Sequence, residues 1–218
     1  MNKLSISNCI HSLVSIVKNN YFKIWKYLLL YFILMIAVSA LSFGLVALNE
    51  VLLYVGMAFV LTIIPGMIVA FSHTLLSIAR SESVSIRRSL RVGFGEGMWW
   101  RAIMFFLVYL AGITGGMILL IIPGIYLVIS WFPAIYYMCD GYGGPIDCLR
   151  QSRLAVKEAG FFRVLAYIVL LSIILMLMPM PFYFIPEFEY VGLIISLLLY
   201  PINIMLPVAL YKSISKPE

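Results

Sequence analysis

The sequence predicts an all-α integral membrane protein, a single polytopic domain of six transmembrane helices with basic amphipathic interfacial helices. Three observations predict it. Of 218 residues, 64% are hydrophobic and only 11% charged, against roughly a quarter charged in an average soluble domain. The apolar residues gather in runs that meet the requirement of about 20 residues, at about 1.5 Å each, for crossing roughly 30 Å of hydrocarbon. The basic residues collect in alternate segments between those runs, as Lys and Arg do on a cytoplasmic side.

Five stretches are nearly free of charge: about Trp25 to Ala47, Leu52 to Ala79, Ala102 to Met138, Val164 to Met180 and Val191 to Tyr211. The third is too long for one crossing. Pro123-Gly124 offers a break, so it divides into 102–121 and 124–138 and the count becomes six. No short apolar stretch with a small-residue cleavage site stands at the start, and the run reaching Ala47 reads as a retained helix.

The polar stretches are themselves amphipathic. In Leu4 to Lys18, Ile6, Ile10, Leu13, Val14 and Val17 form one face, opposite Asn8, His11, Ser12, Ser15 and Lys18. In Ser83 to Phe94, Ile86, Leu90 and Phe94 oppose Arg87, Arg88 and Arg91, with Ser83 as the N-cap. After the turn Gly141 to Gly144, Pro145 opens a third such helix, with Ile146, Cys148, Leu149 and Ala155 against Asp147, Arg150, Gln151 and Lys157. Leu154 departs from that pattern.

All 15 basic residues fall in the N-terminal segment, the loop after the second span, the loop after the fourth, and the tail. The other three loops hold only Glu50, Glu187 and Glu189. Both termini are therefore expected in the cytoplasm, in a multi-pass protein of the cell membrane. The net charge of +6, distributed in this way, points to anionic lipid headgroups as partners and not to nucleic acid.

The chain also echoes itself. Ile63-Ile64-Pro65-Gly66-Met67-Ile68-Val69 resembles Ile121-Ile122-Pro123-Gly124-Ile125-Tyr126-Leu127, and Val17 to Lys23 echoes Val156 to Arg163. The pattern is that of three parallel units, each a basic interfacial helix followed by a transmembrane hairpin. Clustering of aromatic and basic residues at any cytoplasmic interface is the competing explanation.

Candidate functional positions are few. Pro65-Gly66 and Pro123-Gly124 can form hinges or broken helices lining a site, or merely bends for packing. His73 is the one acid, base or imidazole deep in a span; without an intramembrane Asp or Glu, a neutral ring bonded to a hydroxyl or carbonyl is the favoured reading over a proton relay. Asn203, near Pro201 and Pro207, fits an interhelical hydrogen bond. Arg87, Arg88, Arg91, Arg150 and Arg153 are the candidate contacts to anionic lipid. Cys9, Cys139 and Cys148 have neither zinc nor disulfide spacing and read as buried or interfacial thiols. The methionines, Met176, Met178 and Met180 included, do not form the regular array of a copper path. No metal, phosphate-loop or nucleophile motif is present, so neither catalytic residues nor a cofactor is assigned. Asp140, Asp147 and Glu158 at the inner interface are interleaved with arginines, which fits charge-paired loops.

The stretch from Ile121 to Leu127, then Asp140-Gly141-Tyr142-Gly143-Gly144-Pro145 and Leu149-Arg150-Gln151-Ser152, resembles a broad family of prokaryotic six-helix membrane proteins. That family includes YciC-like inner-membrane proteins and is similar to the membrane domain of some glycerophosphoryl diester phosphodiesterases. The resemblance implies a fold and a membrane, and it carries no active site onto this chain. The expected function is that of a non-enzymatic cytoplasmic-membrane protein, acting in envelope organisation or in lipid and partner association, with a protein partner or homo-oligomer allowed. The alternative is a transporter or exporter of a hydrophobic or amphipathic small molecule, and the third reading is a lipid-modifying membrane enzyme.

Overall fold

A computed structural model describes residues 4–48, 51–95 and 97–215. Lys3, Glu50 and Lys216, counted above in the charge pattern, lie outside the described residues, and so does the side chain of Glu189. The described residues are mostly helical and contain no strands. Among the described residues, six helices are long and apolar enough to cross a membrane: Ile6–Ser42, Tyr54–Ala79, Met98–Leu119, Ile121–Cys139, Phe161–Tyr183 and Tyr190–Ile214.

α1 (Ile6–Leu48) joins the expected N-terminal amphipathic helix to the first span in one element, bent at Asn20 where φ −127° and ψ 17° leave the helical region. The Asn20 side chain donates to the Ile16 carbonyl at 3.2 Å, so the amide competes with the helix ladder where the ladder gives way. α2 (Val51–Ala79) packs against α1 and stays helical through Pro65. α3 (Ile86–Phe94) lies back along α2, and α4 (Met98–Leu119) follows at once.

The corner between α4 and α5 (Ile121–Trp131) is a single extended residue, Leu120, with φ −165° and ψ 140°. The break therefore falls three residues before Pro123-Gly124, where the sequence placed it. The physical reason is positional: Pro123 sits in the first turn of α5, where its missing N–H would have no helical partner anyway. Gly124 is needed for a different purpose, because a Cβ there would stand 2.6 Å from Met117 and 2.9 Å from its backbone nitrogen. Absence of a side chain lets α4 and α5 close into a tight hairpin.

After a turn at Phe132-Pro133, α6 (Ala134–Cys139) ends at Asp140, and α7 (Pro145–Ala159) leads through Gly160, whose φ of +95° suits glycine, into α8 (Phe161–Leu177). α9 (Met180–Tyr183) folds over the start of α10 (Glu189–Ile214). The packed core sits at one end. Leu75, Leu76, Ile78 and Ala79 of α2, Tyr136 to Met138 of α6, and Met205 to Tyr211 of α10 supply much of it, apart from the half-buried Pro207. Toward the other end the helices present large apolar side chains outward, as lipid-facing surfaces do.

Candidate functional site

The segments carrying the basic residues meet at the packed end. The Arg80 guanidinium, just past α2, donates twice to Asp140, Nη1 to Oδ1 at 2.7 Å and Nη2 to Oδ2 at 2.6 Å. The Tyr211 hydroxyl of α10 donates to the same carboxylate, and Lys212 Nζ donates to the Ala79 carbonyl at 3.0 Å. Bonded to Asp140, the Arg80 guanidinium has its pKa pushed above the ordinary arginine value, with burial opposing. The Tyr211 ring is further held edge-on by Tyr137, with centroids 4.8 Å apart.

The two described ends of the chain join this cluster. Leu4 N–H donates to the Ala159 carbonyl at 3.1 Å, Arg163 Nη1 donates to the Leu4 carbonyl at 3.2 Å, and Ser213 Oγ donates to Cys9 Sγ at 3.4 Å. Residues near both described ends thus touch, which an even number of crossings allows.

α3 starts one residue after Ser85, two residues later than the Ser83 cap expected, and Ser85 makes no side-chain capping bond. Its buried residues are Ser89 and Gly93, not Ile86, Leu90 and Phe94. His73 Nδ1 and Ser89 Oγ are 3.1 Å apart, which supplies His73 with the hydroxyl partner anticipated for a neutral ring. A Cβ on Gly93 would stand 2.3 Å from the Gly66 carbonyl oxygen, and one on Gly66 would meet the Phe94 ring at 2.6 Å. Pro65-Gly66 is thus the seat of α3 inside a continuous helix, and neither Pro-Gly pair ends a helix.

α7 opens at Pro145 as expected, and Asp147 Oδ2 accepts from the Gly144 N–H at 3.0 Å. Asp147 therefore caps a helix instead of pairing with arginine. Cys148, Leu149, Ser152, Val156 and Ala159 are buried, whereas Ile146, grouped with Cys148 and Leu149 on the apolar face, is exposed. Ser152 Oγ donates to the Ser130 carbonyl of α5 at 2.7 Å, repeating with a second serine what Ser89 does for α3.

Arg87, Arg88, Arg91, Arg150 and Arg153 are all exposed, on the two amphipathic helices that follow Arg80 and Asp140 in the chain. Arg153 also stacks over the Tyr126 ring at 5.5 Å and donates Nε to its hydroxyl at 3.4 Å. Asn203 is exposed too, and the interhelical bond expected of it is not made, because the side chain lines an outward groove. The three cysteines are free thiols. Cys148 donates to the Tyr142 carbonyl at 3.0 Å, and burial pushes its pKa up to about 11, which keeps it a thiol.

The serines and Tyr211 were not singled out from the sequence. The usable signal was the recurrence of Arg-x-Ser at Arg87 to Ser89 and Arg150 to Ser152. Among the described residues no group of three or more His, Cys, Asp or Glu could hold a metal ion. No family model, curated protein or solved structure gives a significant match to this chain.

Proposed function

We propose that the chain is a non-enzymatic protein of the cytoplasmic membrane that holds anionic lipid against one face, with both termini on that side. One observation supports this above others. On α7, Ile146, Arg150, Arg153, Leu154 and Lys157 share the outward face, and on α3 Arg87, Arg91 and Phe94 do so. Ile146 is 67% exposed and Leu154 44%. Arginines standing among exposed large apolar side chains suit the boundary between headgroups and acyl chains. There the stems and apolar residues enter hydrocarbon while the guanidinium meets phosphate. Exposed Trp99 and Trp100 at the start of α4 favour the same level.

The three-unit reading belongs to this proposal. Its support is that α3 and α7 are each seated by a serine on a helix bearing Ile-Ile-Pro-Gly, through His73 in one case and Ser130 in the other. The likeness to YciC-like proteins rests on the residues quoted for it and is proposed on that footing. The transporter and enzyme readings lack comparable support. Gly66 and Gly124 abut Phe94 and Met117, while Asp140 and Asp147 are engaged separately.

The test is to replace Arg87, Arg88, Arg91, Arg150 and Arg153 together with glutamine and to measure lipid retained on purification from mixed membranes. At about 1 kcal/mol for each basic residue near an anionic surface, the variant should lose its preference for phosphatidylglycerol over phosphatidylcholine. An unchanged preference sinks the proposal.

A further inference from the structure

A groove of about 420 Å³ opens sideways between α8, α9 and α10, outside the basic end. Ser196, Tyr200 and Asn203 line it from one face of α10, and Met176, Met180 and Tyr183 face them. The Tyr183 hydroxyl and Ser196 Oγ lie 3.0 Å apart, which ties α9 to α10 across one side.

The polar group left over is Asn203. It stands about 21 Å from one end of α10 and about 16 Å from the other at about 1.5 Å per residue, well inside the apolar layer. It is exposed, and no described residue hydrogen-bonds its side chain. Pro207, four residues on, has no N–H, so the Asn203 carbonyl loses its usual helical donor as well. An amide and a carbonyl left together in hydrocarbon are costly unless something arrives to bond them.

We infer that this groove binds an uncharged, lipid-soluble molecule whose carbonyl or hydroxyl group bonds Asn203 while its apolar body lies along Met176 and Met180. The wall chemistry selects that occupant. No lining residue is charged, so an ionic headgroup finds no counter-charge. Ser196 is the groove's one small residue and Tyr200 stands a turn further on, so the wall lacks the paired small residues that favour close packing of a second helix. Two flexible thioether side chains adapt to an apolar body, and a volume of this size holds one molecule. The assignment is independent of the anionic-lipid face.

The experiment uses the full chain in phosphatidylcholine nanodiscs with three photoactivatable probes: a diacylglycerol, a prenylated quinone and a phosphatidylcholine. At least one neutral probe should label peptides of α8 and α10 saturably, and which one does so identifies the source of the carbonyl or hydroxyl. Asn203→Leu should weaken that labelling about tenfold, the loss that goes with one hydrogen bond left unmade. Met176→Trp, which narrows the groove from the opposite wall, should weaken it as well without touching the amide. Saturable labelling by neither neutral probe, equal labelling of wild type and both variants, or equally saturable labelling by the phosphatidylcholine probe overturns the inference. Chain-to-chain crosslinking through Asn203→Cys would also overturn it, by making the groove a contact between copies.

Discussion

Asp140 ties the ends of three helices through one carboxylate, taking two bonds from Arg80 and one from Tyr211. Because the Arg80 side chain is 40% exposed, screening keeps the ion pair near about 1 kcal/mol, and the tyrosine bond adds an amount of the same order. Asp140→Asn is expected to cost about 1–3 kcal/mol, which lowers the melting temperature in detergent by about 2–4 °C for each kcal/mol in a chain of this size. Arg80→Gln combined with Asp140→Asn should cost less than the two single losses summed. Additive losses in that cycle would show that the pair is not coupled. From the sequence, Asp140 was legible as a charge-paired residue. Its partners were not, because Arg80 lies 60 positions away and Tyr211 71 positions away. A tyrosine at the end of an apolar run reads first as an interface anchor.

Helix number, order and approximate limits were legible at the next scale, since hydrocarbon thickness imposes a length that apolar runs must meet. Which face of each helix turns inward was not. Val14, Phe94 and Ile146 are exposed, whereas Cys9, Ser89, Gly93 and Ser152 are buried. The physical reason is that in a membrane large apolar residues satisfy lipid as well as protein, so hydrophobic periodicity marks both. Small residues mark close helix contact. Gly93 and Gly66 allow a comparison at one crossing. A methyl on Gly93 meets the Gly66 carbonyl, which is backbone, while a methyl on Gly66 meets the Phe94 ring, which can turn aside. Gly93→Ala should therefore push α3 off α2 and, by loosening the helix, speed tryptic cleavage at the already exposed Arg87 and Arg88, at about 1–3 kcal/mol for overpacking. Gly66→Ala should stay near wild type. Equal protease sensitivity of the two variants would remove Gly93 as the contact that seats α3.

For the molecule as a whole, six crossings depend on α4 and α5 being separate, and the corner that separates them is unusual. Ile118 to Ile122 are all large, apolar and between 67% and 85% exposed. In water each such side chain would forgo about 1.5–3 kcal/mol of transfer free energy. The connection between α8 and α10 is different, because it carries the exposed acid Glu187. α4 spans about 33 Å at about 1.5 Å per residue, and a typical tilt of about 20° shortens its reach to roughly the thickness of the hydrocarbon layer. In the orientation proposed above, the corner should then stop in the outer acyl layer without emerging. Pro123 helps, since it removes one of the donors a helix start would otherwise leave unbonded in lipid. With the three native cysteines replaced by alanine, Leu120→Cys should resist a membrane-impermeant maleimide in intact cells. Glu187→Cys should react from outside, and Leu120→Cys should react only after detergent unfolding. Comparable labelling at the two positions in intact cells would place the corner in water and return the hairpin to an ordinary outer loop.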